Sequence, residues 1–218
     1  MSTEDPDFAL RNAEVAAHYT QRALQFGNSP RSGQWRDASS MEKRIEVLFE
    51  IGDLSGAKLL DFGCGIGGMF EMLPRLGFMG EYVGWDISEG MLDVASQRFP
   101  GVRFEMVDIH AEQPTETFDY VLANGIFNNR FGNPQAFLKA TLPRLFKLAR
   151  KGLAFNLLSA HTKEQVPDLI YLDPAAVVDW TRKNLGPLIV LRSDYVIKPD
   201  GPPEDFTLFV YKEPPRRN

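Results

Sequence analysis

LLDFGCGIGG, residues 59–68, is the stretch on which the reading of this chain turns. A short apolar run ends in four glycines within six residues, and beyond them the pattern becomes helical. Glycine is needed where a strand turns sharply into a helix and a ligand must approach the backbone with no Cβ in the way. Gly63, Gly65 and Gly67 fit one cofactor-loop spacing, while Gly63, Gly65 and Gly68 satisfy G-x-G-x-x-G. The loop alone therefore also permits a dinucleotide-binding module.

Downstream, short apolar runs alternate with helix-like stretches, the pattern of parallel strands joined by crossover helices. Strands are expected at 58–62, 81–86, 102–107, 118–124 and 152–158. Ser88 caps the helix after the second strand, and Asn133–Pro134 and Asp173–Pro174 each put a capping side chain before a proline at the first helical position. Two further strands, 188–197 and 205–212, flank the turn-rich KPDGPPE and read as an antiparallel hairpin at the end of the sheet. Upstream, 7–26 reads as a helix ending at Gly27, and a polar loop runs to Asp37. A second helix opens on a Ser39–Glu42 capping box, with Met41, Ile45, Leu48 and Phe49 on one face. The expected division is an N-terminal helix and loop over 1–37, a possible lid, and a main domain over 38–218.

Composition narrows the function. The chain has 218 residues, 44% of them hydrophobic and 24% charged, with a net charge of -5. That suits one α/β domain with an extension, and the acidic balance argues against a nucleic-acid partner. The basic stretch Arg144–Lys151 reads as a solvated helix face and end, and Arg216 and Arg217 form a second small patch. No apolar run is long enough for a bilayer span, and no signal peptide opens the sequence, so no membrane partner and a cytoplasmic location are expected. With one cysteine, Cys64, and three scattered histidines, no metal site is expected.

Acidic strand ends separate the alternatives left by the loop. Asp86 closes the second strand in EYVGWDIS, where a carboxylate accepts hydrogen bonds from both hydroxyls of a ribose. Asp108 closes the third in FEMVDI, placed to meet an adenine amino group beside the apolar Ile109. With Asp61, three consecutive βα units end in an acid.

On these motifs, and on FDYVLANGIFNN after the third unit, the sequence resembles class I S-adenosylmethionine-dependent methyltransferases over roughly residues 40–212. The resemblance implies an α/β fold: a Rossmann-like, seven-stranded, mostly parallel sheet with an antiparallel C-terminal hairpin strand and helices on both faces. The implied cofactor is S-adenosyl-L-methionine. Asp61 and Gly63 would lie near its methionine portion, Gly65 under the ribose with Gly67 in the same loop, and Asp86 on the ribose hydroxyls. Ile87 and Ile109 would border the adenine, Asp108 its amine, and the Asn124 backbone the methionine ammonium. Cys64, inside the loop, reads as a small filler. The Pro-Pro-aromatic motif of nucleic-acid amino-methyltransferases is absent from ANGIFNN, and Cys64 is not free to serve as the nucleophile of a pyrimidine C5 enzyme.

The acceptor side is expected beyond the fourth and fifth strands. Asn128, Asn129 and Arg130 follow the fourth, Arg130 as a candidate for an anionic acceptor, and Ser159 and His161 follow the fifth. His161 is the expected general base for methylation of a hydroxyl on a small, sugar-like or otherwise hydroxylated metabolite. Tyr19, Trp35 and Arg44 are expected at the lid, Tyr19 and Arg44 reaching the cofactor carboxylate and Trp35 bordering the acceptor. The alternatives are N- or carboxyl-methylation of a small metabolite, or dinucleotide binding without methyl transfer.

Overall fold

The computed structural model describes residues 6–197 and 204–215. Helix α1 (Pro6–Phe26) and a 3-10 turn (Pro30–Gly33) precede α2 (Ala38–Phe49). Strand β1 (Lys58–Phe62) leads through the glycines to the short α3 (Gly68–Met72), followed by β2 (Glu81–Asp86), α4 (Glu89–Arg98), β3 (Arg103–Met106) and β4 (Phe118–Ala123). The remainder is α5 (Pro134–Leu148), β5 (Ala149–Leu158), α6 (Pro174–Asn184), β6 (Ile189–Arg192) and β7 (Asp205–Tyr211).

The strands form one seven-stranded sheet in the order β3-β2-β1-β4-β5-β7-β6. β1 to β5 are parallel, and β7 runs antiparallel between β5 and β6. The order reverses between β1 and β4, which opens a crevice above their carboxyl ends, where open α/β sheets bind ligands. Register steps the acids outward from strand to strand: Asp61 pairs with Gly84, two positions before Asp86, and Asp86 with Met106, the last residue of β3 and two positions before Asp108.

Side chains alternate across the sheet as the strand period requires. Leu60, Val83, Trp85, Val121 and Phe155 pack on the face covered by α5 and α6, with Leu138, Leu142 and Val177. Leu59, Tyr82, Tyr120, Leu122 and Ala154 pack on the other, with Ile45, Leu48 and Met69 from α2 and α3. β7 is buried along its whole length.

The predicted caps at Ser88, Asn133 and Asp173 each accept a backbone N–H of their helix. The start of α2 differs. Asp37, not a Ser39–Glu42 box, is its N-cap, its Oδ1 accepting the Ser40 N–H at 2.7 Å. β5 begins three residues earlier than expected, because its exposed Arg150 and Lys151 disguise the strand. β6 is shorter than expected, ending at Arg192. Most of the expected KPDGPPE turn, and Arg216 and Arg217, lie outside the described residues. Among the described residues no helix is long and apolar enough to cross a membrane.

Candidate active site

The glycine loop is held by backbone hydrogen bonds to the neighbouring strand. Gly63 N–H and Cys64 N–H both donate to the Trp85 carbonyl, at 2.7 and 3.0 Å. Gly63 has φ +79°, and a Cβ there would lie 2.3 Å from Ile126 Cγ2. Gly65 has φ +53°, and a Cβ there would meet nothing within 4 Å, so open space stands beside the loop. Gly67 has a different task. It is absent from the cavity wall, and a Cβ there would crowd the Phe99 ring at 2.9 Å, so its lack of a side chain serves packing. Cys64 fills the space beside Gly84, and burial together with the charges of Asp86 and Asp61 pushes its thiol pKa far up.

Each acidic strand end is wired differently. Asp86 bridges the loop and α4, accepting Gly65 N–H at 2.8 Å and Ser88 N–H at 2.9 Å. Burial raises its pKa. Asp61, only 2% exposed, accepts the Tyr82 hydroxyl at 2.7 Å, and burial pushes its carboxyl up to about 7. Asp108 accepts the side-chain amide of Asn12 from α1, at 3.0 and 3.1 Å to its two oxygens, and the N–H of His110 at 2.9 Å.

These groups line one cavity of about 890 Å³ above the carboxyl ends of the strands. Of the residues singled out from the sequence, Asp61, Gly63, Gly65, Asp86, Ile87, Asp108, Ile109 and Asn124 border it, as do Tyr19, Trp35, Arg44 and Asn128. Its far wall is α1, tied to three separate loops: Asn12 to Asp108, Thr20 to Ser88 at 3.0 Å, and Tyr19 to Asn129 at 2.6 Å. The Tyr19 hydroxyl also donates to Gln34 at 2.9 Å, and burial pushes its pKa up to about 12. Trp35 lies against Gly125, where a Cβ would fall 2.7 Å from the indole. Arg44 stacks on Trp35, but its donors are committed to Asp205, at 2.6 and 2.8 Å, and to the Ser40 carbonyl at 2.9 Å.

Two expected site residues stand elsewhere. Arg130 is exposed and its Nε donates to the Leu169 carbonyl at 2.7 Å, stapling two loops together outside the cavity. His161 is also absent from the cavity wall, with a side chain 75% exposed and 4.0 Å from Asp173. The turn after β5 is pinned by Ser159 N–H and Thr162 Oγ1, both donating to the Glu204 carbonyl, and this leaves His161 facing outward. The histidine that does line the cavity is His110. Its Nε2 lies 2.9 Å from Thr141 Oγ1, and burial, with a contribution from Arg144, pushes its pKa down to about 4.

Sequence reading also passed over Asn156. Fully buried in β5, its Oδ1 accepts Gly125 N–H and its Nδ2 donates to Asn124 Oδ1, both at 2.7 Å. An asparagine inside the apolar run AFNLL was the available signal, since a buried amide needs partners. Arg11 and Asn12 carried no such signal, because helical position alone does not reveal a partner 96 residues away.

Comparison with known proteins now decides the family. A methyltransferase-domain family model matches residues 53–190. The chain belongs to this family. A Mycobacterium tuberculosis protein named as a methyltransferase is 33% identical over 158 residues, covering 70% of this chain and 91% of that protein. Trans-aconitate 2-methyltransferase of Methylobacterium nodulans is 37% identical over 81 residues, but the match covers only 37% of this chain and 31% of that enzyme. In fold, the chain is similar to magnesium protoporphyrin IX methyltransferase of Synechocystis PCC 6803, solved with bound SAM. The TM-score is 0.65 at 16% identity, over 93% of this chain and 97% of that one. The protein is thus a class I methyltransferase, the class whose methyl donor is S-adenosylmethionine.

Proposed function

We propose that this methyltransferase acts on an oxygen of a small polar acceptor inside the 890 Å³ cavity, with S-adenosylmethionine along the strand ends. The observation that carries the reading is that the open glycine loop, three acidic strand ends and the inner face of α1 converge on this one space. The bound cofactor supplies an electrophilic methyl group. Asp61 and Gly63 would border its methionine portion with the Asn124 carbonyl, and Asp86 its ribose. Ile87 and Ile109 would flank its base, and Asp108 would take the exocyclic amine while keeping Asn12. Arg44, already paired with Asp205, would steady Trp35 more than it would seize the cofactor carboxylate. Asn128 and Trp35 would border the acceptor.

The expected lid, 1–37, of which 1–5 lie outside the described residues, would act through α1, excluding water once both ligands are in place. A hydroxyl acceptor gains from a base poised near neutrality. Among the cavity-lining side chains, His110 is held neutral far below that range and Tyr19 titrates far above it, while Asp61, pushed up to about 7, is taken by the Tyr82 hydroxyl and would stand at the methionine end of the cofactor, and His161 lies outside. This favours an oxygen that arrives ionised, a carboxylate, over the hydroxyl of a sugar-like metabolite.

Calorimetry with S-adenosylhomocysteine tests the cofactor half. Asp86→Ala removes charge-assisted hydrogen bonds and should weaken binding about 10- to 150-fold in a folded variant. Unchanged affinity would take Asp86 out of the site. Mass spectrometry of ligand released from the purified protein gives an independent check, since a nicotinamide dinucleotide there would overturn the reading.

A further inference from the structure

Arg11 lies on the cavity-facing side of α1 with Asn12, Val15 and Tyr19, and only 6% of it is exposed. Its guanidinium stacks on Phe137, 3.3 Å from the ring centroid. One Nη donates to Asn12 Oδ1 at 2.9 Å, and Nε is buried with no acceptor. Asp108 acts on it only at a distance, because that carboxylate bonds the amide of Asn12 instead. Burial lowers the Arg11 pKa to about 10, so the group stays charged at neutral pH. A buried cation held only by a neutral amide and an aromatic ring is costly to keep unless something else meets its charge.

The neighbours of Arg11 say where that charge is to be met. Beside it is Gly132, where a Cβ would sit 3.4 Å from the Arg11 side chain. Two turns further along α1, Tyr19 meets Asn129. The helix therefore runs along the loop that follows β4, and Arg11 shares its cavity with Asn128 and Phe131 of that loop. A planar guanidinium there matches a carboxylate two-pronged.

We propose that Arg11 is the anion-binding residue of the acceptor subsite and that the acceptor is a small di- or polycarboxylate, one acid group on Arg11 and another receiving the methyl group. This rests on reading the cavity as the methyl-transfer site. A lone pair of the second carboxylate forms the new O–CH3 bond while the S–CH3 bond breaks, and that electron pair remains on sulfur. A methyl ester and a neutral thioether result, with no proton to remove, which accords with the cavity's histidine, His110, being tied to Thr141 and held neutral.

The test is calorimetric titration of the full chain, saturated with S-adenosylhomocysteine, by trans-aconitate and by its uncharged trimethyl ester. The acid should bind and the ester should not. Arg11→Gln should weaken acid binding at least about tenfold, with Arg11→Lys intermediate because it keeps charge but loses the planar fork. Equal binding of acid and ester, equal affinity in wild type and Arg11→Gln, or no acid binding by the wild type up to about 10 mM would each overturn the proposal. S-adenosylhomocysteine affinity, measured first, keeps the two readings apart: failure to bind it removes the methyl-transfer site itself, whereas normal binding with no acid response removes only the role of Arg11. If Arg11→Gln does not fold, the acid–ester contrast in the wild type and the Arg11→Lys variant still decide.

Discussion

The two walls of the cavity are built on different principles. The strand-end wall is anchored on main-chain groups close in the fold's core: Gly63 and Cys64 N–H hang from the Trp85 carbonyl, and the one side chain that joins them, Asp86, takes the backbone N–H groups of Gly65 and Ser88. The α1 wall is made of side chains reaching across the chain, Asn12 to Asp108 and Tyr19 to Asn129, partners 96 and 110 positions apart in sequence. Backbone bonds fix geometry whatever the side chains do, while side-chain ties can be undone one at a time. One wall is therefore a scaffold and the other a latch.

The harshest test of this contrast strikes the scaffold. Gly63→Ala forces a Cβ onto Ile126 at a φ of +79°. It should cost roughly 2 to 5 kcal/mol, from backbone strain plus overpacking, and abolish measurable cofactor binding. Denaturant unfolding beside calorimetry would reveal this, and a variant of wild-type stability would mean the loop is not rigid.

A milder effect is expected at the latch. Asn12→Ala removes the tie to Asp108 and should leave the unfolding midpoint within a few degrees of wild type while speeding cofactor dissociation about 5- to 20-fold. Stopped-flow dissociation measures it, and an unchanged off-rate would show that α1 does not retain the ligand.

Smaller still is a pH effect at Asp61. Its folded pKa, about 7, lies above its ordinary value of 3.8, so the stability it contributes is present below about pH 4 and is lost as pH rises through 7. Asp61→Asn should therefore match wild type in thermal scans near pH 4 and melt several degrees higher at pH 8 without ligand. Parallel curves at both pH values would mean that Asp61 is ionised without penalty. The smallest change is expected at His161, outside both walls. His161→Ala should alter turnover less than about twofold, where a general base would account for two to four orders of magnitude.

The same contrast explains what could be read in advance. Strand placement, the caps at Ser88, Asn133 and Asp173, and the acids at 61, 86 and 108 were legible because each depends on residues within a few positions of itself. The start of β5 is masked in the sequence because Arg150 and Lys151 are exposed there. The outward placement of His161 is hidden for a subtler reason: its place after β5 names the loop, but the direction of the loop depends on Glu204, 43 residues on, which holds Ser159 and Thr162. Arg11 and Asn12 carry no local signal, since their significance lies in what they meet across the fold, whereas Asn156 is marked only by being an amide inside an apolar run.

The position of β7 bears on how the molecule comes into being. Of the seven strands it is the last to leave the ribosome, yet it occupies an interior place, with β5 on one side and β6 on the other. Until Asp205–Tyr211 emerges, β5 has an unpaired edge and β6 has no neighbour in the sheet. Its partner residues Ala154 and Phe155 face Phe209 and Leu208 more than fifty positions later, so this pairing carries a large loop-closure cost. Completion of the sheet must wait for β7, and a nascent polypeptide stalled before it carries the exposed strand edges that invite aggregation.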